Sequence, residues 1–155
     1  MEAKTLKIEI PNGYEIDKEN STFENIVFKK VDDVIIKWNQ KYNGVEIKAD
    51  GEHFMLDANP SYYMNWSGAM RFYRNNPSWE IPTTKQLKVV YKYFDKINEI
   101  IEQNNGYKLH GGWYWGVEEH GEFCAWYISM NSGSTSYHYK SNLNYVRAVS
   151  HLIDD

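Results

Sequence analysis

The sequence predicts an α+β fold, because its β-type and helical segments are segregated along the chain. Short runs of alternating or β-branched residues come first, two helical patterns lie in the middle, and β-type runs return after residue 112. The chain has neither the strand–helix alternation that indicates a parallel sheet nor an internal repeat. A length of 155 residues suits one domain with a sizeable core.

The first part of the chain predicts a small β appendage. Residues 5–10 alternate between apolar and polar side chains, and the Pro-Asn-Gly sequence that follows ends the run in a turn. Residues 26–28 form a second apolar run, which two lysines end. We expect these segments to pair antiparallel, so that residues 1–40 form an N-terminal β appendage and residues 41–155 form the main domain.

A β-hairpin is predicted next. Residues 34–38 are rich in β-branched side chains, residues 45–47 alternate, and residues 54–56 return as a partner strand. Asp50-Gly51 lies between the last two runs, and Asp-Gly is favoured in two-residue turns because both positions accept a positive φ.

A short helix is predicted after the hairpin. Asn65 or Ser67 can accept a hydrogen bond from the free N–H groups of a first helical turn. The Asn-Asn-Pro sequence that ends at Pro77 stops this helix.

A second, longer helix follows, and its pattern is the strongest in the chain. Thr83 or Thr84 can cap its N-terminus, and Asn104-Asn105-Gly106 ends it. Apolar side chains recur every three or four residues and define one buried face, namely Leu87, Val90, Tyr91, Phe94, Ile97 and Ile101.

The last third of the chain predicts strands again. Residues 113–117 and 125–130 are two β-type runs with a turn at Gly121 between them, and residues 145–149 predict a final strand.

Composition narrows the possible partners. The net charge is −4 and no basic stripe is present, which argues against nucleic acid. No run approaches the ~20 apolar residues of a membrane span, and the first residues lack an apolar signal core, so a cytoplasmic or virion-associated location is the most compatible. The 13 Tyr and 6 Trp suit both an aromatic core and a hydrated interface.

The most obvious cluster of metal-ligand types is His110, Glu118, Glu119, His120 and Glu122. It falls on a strand end and a turn, where adjacent side chains point to opposite faces, and it lacks the spacing of known zinc motifs. We expect a hydrated acidic turn, no metal and no cofactor.

Cys124 is the one cysteine, and a nucleophilic role would need a neighbouring base or cation. His120 is close in sequence, but nothing in the sequence orients it, and a lone cysteine in an apolar strand is more often a small core residue. Phosphate-binding, dinucleotide-binding and serine-nucleophile motifs do not occur. We therefore expect a protein that is not an enzyme. A small enzyme using Cys124 and His120 remains the rival interpretation.

One segment favours binding. Residues 129–145 are dominated by Ser, Asn and Tyr, the residue types that antibody paratopes favour. We expect a face of the late strands to contact a protein or glycan ligand through Tyr127, Ser129, Asn131, Tyr137, Tyr139, Asn142 and Asn144. A polar hairpin with tyrosines packed on the body is an equally open interpretation.

Several short motifs resemble a known group of domains. In order, they are Trp79-Glu80-Ile81-Pro82-Thr83 followed by a helix with Leu87, then Tyr114-Trp115, Ala125-Trp126 and Val146-Arg147-Ala148-Val149. They resemble a bacterial domain family of unknown function and the Fibrobacter-type paralogous domains, over about residues 54–151. The segments 10–14 and 23–28 resemble elements of Bacteroides-type and phage proteins.

This resemblance implies a C-type-lectin-like fold, in which two helices flank a twisted antiparallel sheet and a long irregular loop lies near the last strands. Ligands would then meet the loops and the late-strand face. The calcium-binding motifs and paired cysteines of the animal lectins are missing, as is the reactive cysteine pair of formylglycine-generating enzymes. A narrower similarity is to the variable proteins of diversity-generating retroelements, whose mutagenesis enriches Asn, Ser and Tyr. A phage or surface-appendage structural part is a third interpretation.

Overall fold

The computed structural model describes residues 8–22, 24–30 and 33–151. The chain divides into two units, residues 1–33 and 34–155. The structural boundary therefore precedes residue 40, where the sequence placed it. The reason is β3 (Ile35–Asn39), which pairs along its whole length with β4 (Gly44–Ala49) of the second unit.

The first unit contains a two-stranded antiparallel sheet, formed by β1 (Tyr14–Ile16) and β2 (Phe28–Lys30). Glu15 lies opposite Lys29, and their side chains form an exposed ion pair of 3.3 Å. The predicted strand at residues 5–10 does not appear in the described residues 8–10, and its first part lies outside the described residues. Pairing instead begins after the turn that contains Gly13.

A four-stranded antiparallel sheet in the order β11-β5-β4-β3 begins the second unit. Besides β3 and β4, it contains β5 (Glu52–Asp57) and the short β11 (Val149–Ser150). The β4–β5 hairpin turns at Asp50 and Gly51, whose φ angles of 53° and 80° are those of the predicted two-residue turn.

A five-stranded mixed sheet in the order β6-β10-β7-β8-β9 forms the rest of the β structure. Its strands are β6 (Tyr62–Asn65), β7 (Trp113–His120), β8 (Cys124–Ser129), β9 (Thr135–Tyr139) and β10 (Leu143–Val146). β10 runs parallel to β7, whereas the other neighbours are antiparallel. The single strand predicted at residues 145–149 is therefore wrong, because the chain leaves one sheet after Val146 and joins the other at Val149.

The structure has three helices in the described residues, not the two predicted: α1 (Trp66–Arg74), α2 (Thr84–Lys92) and α3 (Phe94–Gln103). The long predicted helix is divided at Tyr93, whose φ of −111° and ψ of 24° depart from helical values. Hydrogen bonds from Tyr93 to Val89 and from Ile97 to Tyr93 nevertheless link the two pieces. No helix in the described part of the chain combines the length and apolar character that crossing a membrane requires.

The helix ends follow the capping signals of the sequence. Asn65 accepts a hydrogen bond from the Gly68 N–H at 2.7 Å, and Thr83 forms a capping box with Gln86. At the end of α3, Asn105 takes the left-handed conformation (φ 59°), and the Gly106 N–H bonds to the Ile101 carbonyl.

The five-stranded sheet is the middle layer of the second unit. On one face, Tyr114 and Ile128 pack with apolar residues of α2, α3 and the four-stranded sheet. On the other face, Trp115 and Val146 pack under α1 together with Ala69. We call these the helix-pair face and the α1 face; side chains of each strand alternate between them.

Arg147 clamps the junction between the two sheets. Its side chain is 1% exposed and donates to the carbonyls of Asp57, Tyr107 and Lys108 and to the hydroxyl of Ser61, at 2.7–3.2 Å. Burial lowers the pKa of the guanidinium, and burial also raises the pKa of the nearby Asp57 carboxyl. This residue belongs to the Val-Arg-Ala-Val segment, and its buried charge is held mainly by carbonyl oxygens.

Candidate functional site

The β7–β8–β9 end of the five-stranded sheet carries an exposed aromatic surface. Strand register places Trp126 opposite Tyr137, and Cys124 opposite both His120 and Tyr139. These five side chains lie on the helix-pair face by alternation, and we call them the wing face. Tyr137 is 48% exposed and Tyr139 is 65% exposed, so this part of the sheet is open to solvent.

Three rings of the wing face hold one another in place through stacked and edge-to-face contacts. The His120 and Tyr137 rings stack with a centroid distance of 3.8 Å and an interplanar angle of 4°. The Trp126 ring is nearly perpendicular to both, at centroid distances of 5.0 Å from His120 and 5.5 Å from Tyr137. Edge-to-face and stacked contacts of this kind are favourable, so the exposed rings are held before any ligand arrives.

A cavity of about 250 Å³ adjoins the Trp126 indole. It is lined by Thr84 and Lys88 of α2, by Glu118, by Trp126 and by Thr135. The lining offers an ammonium donor, a carboxylate acceptor, two hydroxyls and an aromatic surface. Few but well-placed polar groups beside an apolar surface are what small-ligand and interface pockets use for orientation.

Glu118 is fixed in this cavity by an irregularity in β7. The register between β7 and β8 shifts between Trp115 and Glu119, which brings Glu118 to the start of α2. Its carboxylate accepts the Thr84 N–H at 3.0 and 3.1 Å, where the free amides of a helix N-terminus favour negative charge. Gly116 permits this approach, since a Cβ there would lie 2.7 Å from the Thr84 methyl.

A second cavity, of about 390 Å³, lies at the end of the same strands. It includes Tyr139 of the wing face, Phe123, which is 69% exposed, and Asn65 and Ser67 at the start of α1. Lys140 also lines it, but its ammonium group is already engaged by Glu119 at 3.4 Å and by the Glu122 carbonyl at 2.8 Å. Exposed aromatic surface thus continues around the corner of the sheet.

The structure does not gather the predicted binding residues on one surface. Tyr137 and Tyr139 lie on the wing face, whereas Tyr127 lies on the α1 face by alternation. Asn131 and Asn142 are exposed in the turns on either side of β9. The sequence alone could not make this division, because it depends on which residues of β8 and β9 are directly opposed.

The two remaining predicted residues are buried. Ser129 is 8% exposed, and its hydroxyl accepts from the N–H groups of Asn131 and Ser132, which closes the β8–β9 turn. Asn144 is 1% exposed, and its amide lies 3.3 Å from Nδ1 of His138. Both side chains are therefore engaged in contacts within the fold.

The α1 face has an aromatic cluster of its own beside Tyr127. The His138 ring lies 4.2 Å from the Tyr127 ring and 4.9 Å from the Trp113 ring. Trp113 is 47% exposed, while Tyr127 and His138 are half-buried. This cluster is the natural internal control for the wing face, because it offers the same ring types on the opposite side of the same strands.

The sequence did not identify Trp126, Thr84 or Lys88 as binding residues. It singled out Glu118 only as a metal-ligand type, and His120 only as a metal-ligand type or a catalytic partner of Cys124. The alternation of β8 could have placed Trp126 on the same face as Cys124. The approach of α2 to β7, which completes the cavity, depends on the register shift and on Gly116, and no pattern in the sequence signals it.

The residues of the enzyme interpretation are cross-strand neighbours. Cys124 lies directly across from His120 and is half-buried, not a core residue as predicted. Among the described residues, no hydrogen bond joins the thiol to the imidazole and no carboxylate orients the ring, which stacks on Tyr137 instead. The same part of the chain contains no group of three or more His, Cys, Asp and Glu side chains that could hold a metal.

Comparison with known proteins adds no relative. No protein-family model matches the chain, and no curated protein is significantly similar to it.

Proposed function

We propose that this chain is a non-catalytic binding module and that its wing face contacts a protein or glycan ligand. The observation that carries the proposal is the open set of mutually packed rings of His120, Trp126 and Tyr137. These rings lie beside a cavity whose lining includes the ammonium group of a lysine and the carboxylate of a glutamate. Contiguous exposed apolar patches on a protein surface often mark interaction sites.

The composition of the wing face fits recognition. Tyr and Trp provide large, stiff contact areas and are enriched where binding energy concentrates. Because the rings already hold one another, less side-chain freedom is lost when a ligand binds, and this raises affinity. The ammonium of Lys88, the carboxylate of Glu118 and the two threonine hydroxyls would orient polar groups of the ligand.

Binding is favoured over reaction by the way the same side chains are used. A catalytic thiol requires an oriented base, yet the His120 ring is packed face to face with Tyr137. Glu118, whose carboxylate lines the cavity, already accepts the Thr84 N–H at the start of α2. We expect iodoacetamide to alkylate Cys124 of the native protein at neutral pH no faster than free cysteine; rapid, selective labelling would revive the enzyme interpretation.

We further propose that the second unit is C-type-lectin-like. Support comes from the placement of α1 and of α2–α3 on opposite faces of the five-stranded sheet and from the exposed late strands. One expected feature differs: the described late strands β8, β9 and β10 are joined by short turns in place of a long irregular loop. In this chain the late-strand face itself, not a loop, would carry recognition.

The proposal is tested by screening the chain on a glycan array and against a displayed library of random dodecapeptides. The wild type is compared with Trp126→Ala on the wing face and with Trp113→Ala on the α1 face, two exposed or half-exposed tryptophans of the same sheet. We expect ligands that bind the wild type and Trp113→Ala alike, and that bind Trp126→Ala at least tenfold more weakly, about 1.4 kcal/mol.

Three results would contradict the proposal. Equal binding by Trp126→Ala and the wild type would remove the wing face from recognition, and a loss confined to Trp113→Ala would move the site to the α1 face. A wild type that selects no glycan and no peptide would reject both ligand classes. Circular dichroism of each variant confirms that the comparison is made between folded proteins.

A further inference from the structure

β9 is the end strand of the five-stranded sheet, so one of its two backbone edges has no strand beside it. The hydrogen-bonding pattern with β8 identifies the groups on that edge. The Ser129 N–H bonds to the Ser134 carbonyl, and the Lys140 N–H bonds to the Phe123 carbonyl. In an antiparallel pair the bonded positions alternate, so Ser136 and His138 face β8, while Thr135, Tyr137 and Tyr139 turn their N–H and C=O groups outward.

These outward groups have almost no partners in the described part of the chain. The Tyr139 carbonyl accepts the Asn142 N–H at 2.9 Å, and the other outward N–H and C=O groups of β9 make no backbone hydrogen bond there. A row of free donors and acceptors at strand spacing is a template for a further strand. The geometry therefore defines the chemistry of the occupant as an extended peptide backbone.

Proteins usually protect such an edge, and β9 lacks the usual protection. Charged residues, prolines and covering segments are the common devices. The sequence of β9, TSYHY, contains no Lys, Arg, Asp, Glu or Pro. By contrast, the edge strand β3 carries Lys37 at its centre, and the edge strand β6 runs directly into α1.

We propose that the occupant of this edge is a second copy of the chain, paired antiparallel through β9. The three outward residues are centred on Tyr137, so a two-fold axis there sets Tyr137 opposite Tyr137 and Thr135 opposite Tyr139 on both sides. The Tyr137 pair can exchange two backbone hydrogen bonds between free groups. In each Thr135–Tyr139 pair, the Tyr139 carbonyl would accept the Thr135 N–H as a second hydrogen bond beside that from Asn142. Self-complementary pairing about a two-fold axis is the commonest way in which identical chains associate.

The dimer would join two wing faces. Thr135, Tyr137 and Tyr139 project to the helix-pair face, so each side chain would meet a counterpart of the other copy on one continuous sheet. The Tyr137 rings of the two copies would lie side by side, next to both Trp126 indoles. This arrangement is independent of whether the wing face binds a ligand, although it would double the area available for one.

The experiment is sedimentation equilibrium of the full chain across a concentration series, with a matched pair of variants at Thr135. Thr135→Pro removes an outward N–H and leaves the bonds to β8 and both tyrosines in place, whereas Thr135→Val keeps the N–H and the β-branched shape. We expect the wild type and Thr135→Val to dimerise alike. Thr135→Pro should dimerise at least tenfold more weakly, as should Tyr137→Lys, which places a charge at the axis.

Amide hydrogen exchange supplies a second readout that does not depend on the variants. In the dimer the N–H groups of Tyr137 and Tyr139 should exchange slowly, and dilution should speed their exchange while leaving that of Ser136 and His138 unchanged. A wild type that stays monomeric overturns the proposal, as does a dimer that Thr135→Pro and Tyr137→Lys leave intact. If the wild type is monomeric, the selected dodecapeptides can be tested for slowing hydrogen exchange at the Tyr137 and Tyr139 N–H groups. Such slowing would show that the β9 edge binds a strand of another protein.

Discussion

The middle strand β7 and the end strand β9 of the five-stranded sheet both carry tyrosines but hold them in opposite ways. On β7, Tyr114 is fully buried, and its hydroxyl accepts from the His110 N–H and contacts the hydroxyl of Ser61. On β9, Tyr137 and Tyr139 are exposed, and no hydroxyl hydrogen bond holds them in the described chain.

The tryptophans repeat this contrast. The indole N–H groups of Trp66 and Trp115 donate to the Gly116 and Met64 carbonyls at 2.9 and 3.0 Å. Trp113 and Trp126 make only ring contacts in the described residues. The number of Tyr and Trp residues therefore says little about function. A buried, hydrogen-bonded polar atom marks an aromatic residue that holds the fold.

The largest effect is expected at the junction between the two sheets, for Arg147→Ala. The change leaves the carbonyls of Asp57, Tyr107 and Lys108 without their charged donor inside the protein. We expect a loss of about 3–5 kcal/mol in the free energy of unfolding, measured by urea denaturation, with Arg147→Lys losing less because it keeps the charge. A loss below about 1 kcal/mol would show that the guanidinium does not clamp the sheets.

The tryptophans give the next largest contrast when each is replaced by Phe. Trp66→Phe and Trp115→Phe keep an aromatic ring but remove a buried N–H donor, and each should cost about 1–3 kcal/mol. Trp113→Phe and Trp126→Phe should stay within about 0.5 kcal/mol of the wild type. Thermal unfolding followed by near-ultraviolet circular dichroism ranks the four variants. Equal losses in both pairs would remove the distinction between the hydrogen-bonded and the exposed or half-exposed indoles.

A smaller effect is expected at the start of α2, which borders the wing-face cavity. Thr83→Ala removes the acceptor of the Gln86 N–H and should cost about 1 kcal/mol, whereas Thr83→Ser keeps the hydroxyl and should cost less. Denaturant midpoints of the two variants measure the difference. If both variants lost the same amount, the methyl group and not the cap would be what stabilises the helix start.

The smallest effect concerns pH and Asp57. Burial raises the pKa of this carboxyl against opposing hydrogen bonds from Asn59 and the charge of Arg147. An acid with a raised pKa in the folded state favours folding below its ordinary pKa of about 3.9, and this contribution is lost as pH rises through the raised value. Asp57→Asn should therefore gain stability relative to the wild type as pH increases from about 4. A difference that does not change with pH would argue against a buried, strained carboxylate.

Much of the fold follows from local signals. The Asp50-Gly51 turn, the caps at Asn65 and Thr83 and the end of the second helical pattern at Asn104–Gly106 are properties of a few adjacent residues, and the structure confirms them. Local chemistry could also separate strands from helices, and so predict the α+β class.

The features that depend on distant residues could not be predicted. The break at Tyr93 follows no proline or glycine, and the transfer of the chain between sheets at residues 147–148 depends on the buried contacts of Arg147. The same holds for the site. Tyr137 and Tyr139 could be identified from composition, but the separation of Tyr127 to the opposite face depends on strand register, and the burial of Asn144 depends on its contact with His138.

The central claim is that the exposed tyrosines of the wing face serve binding and are not needed for folding. The most direct measurement compares Tyr137→Ala/Tyr139→Ala with the wild type in one set of samples, by urea denaturation and by binding to the ligands selected from the array and library. We predict a loss of stability under about 1 kcal/mol together with at least tenfold weaker binding. Undiminished binding together with a stability loss above about 2 kcal/mol would contradict the account.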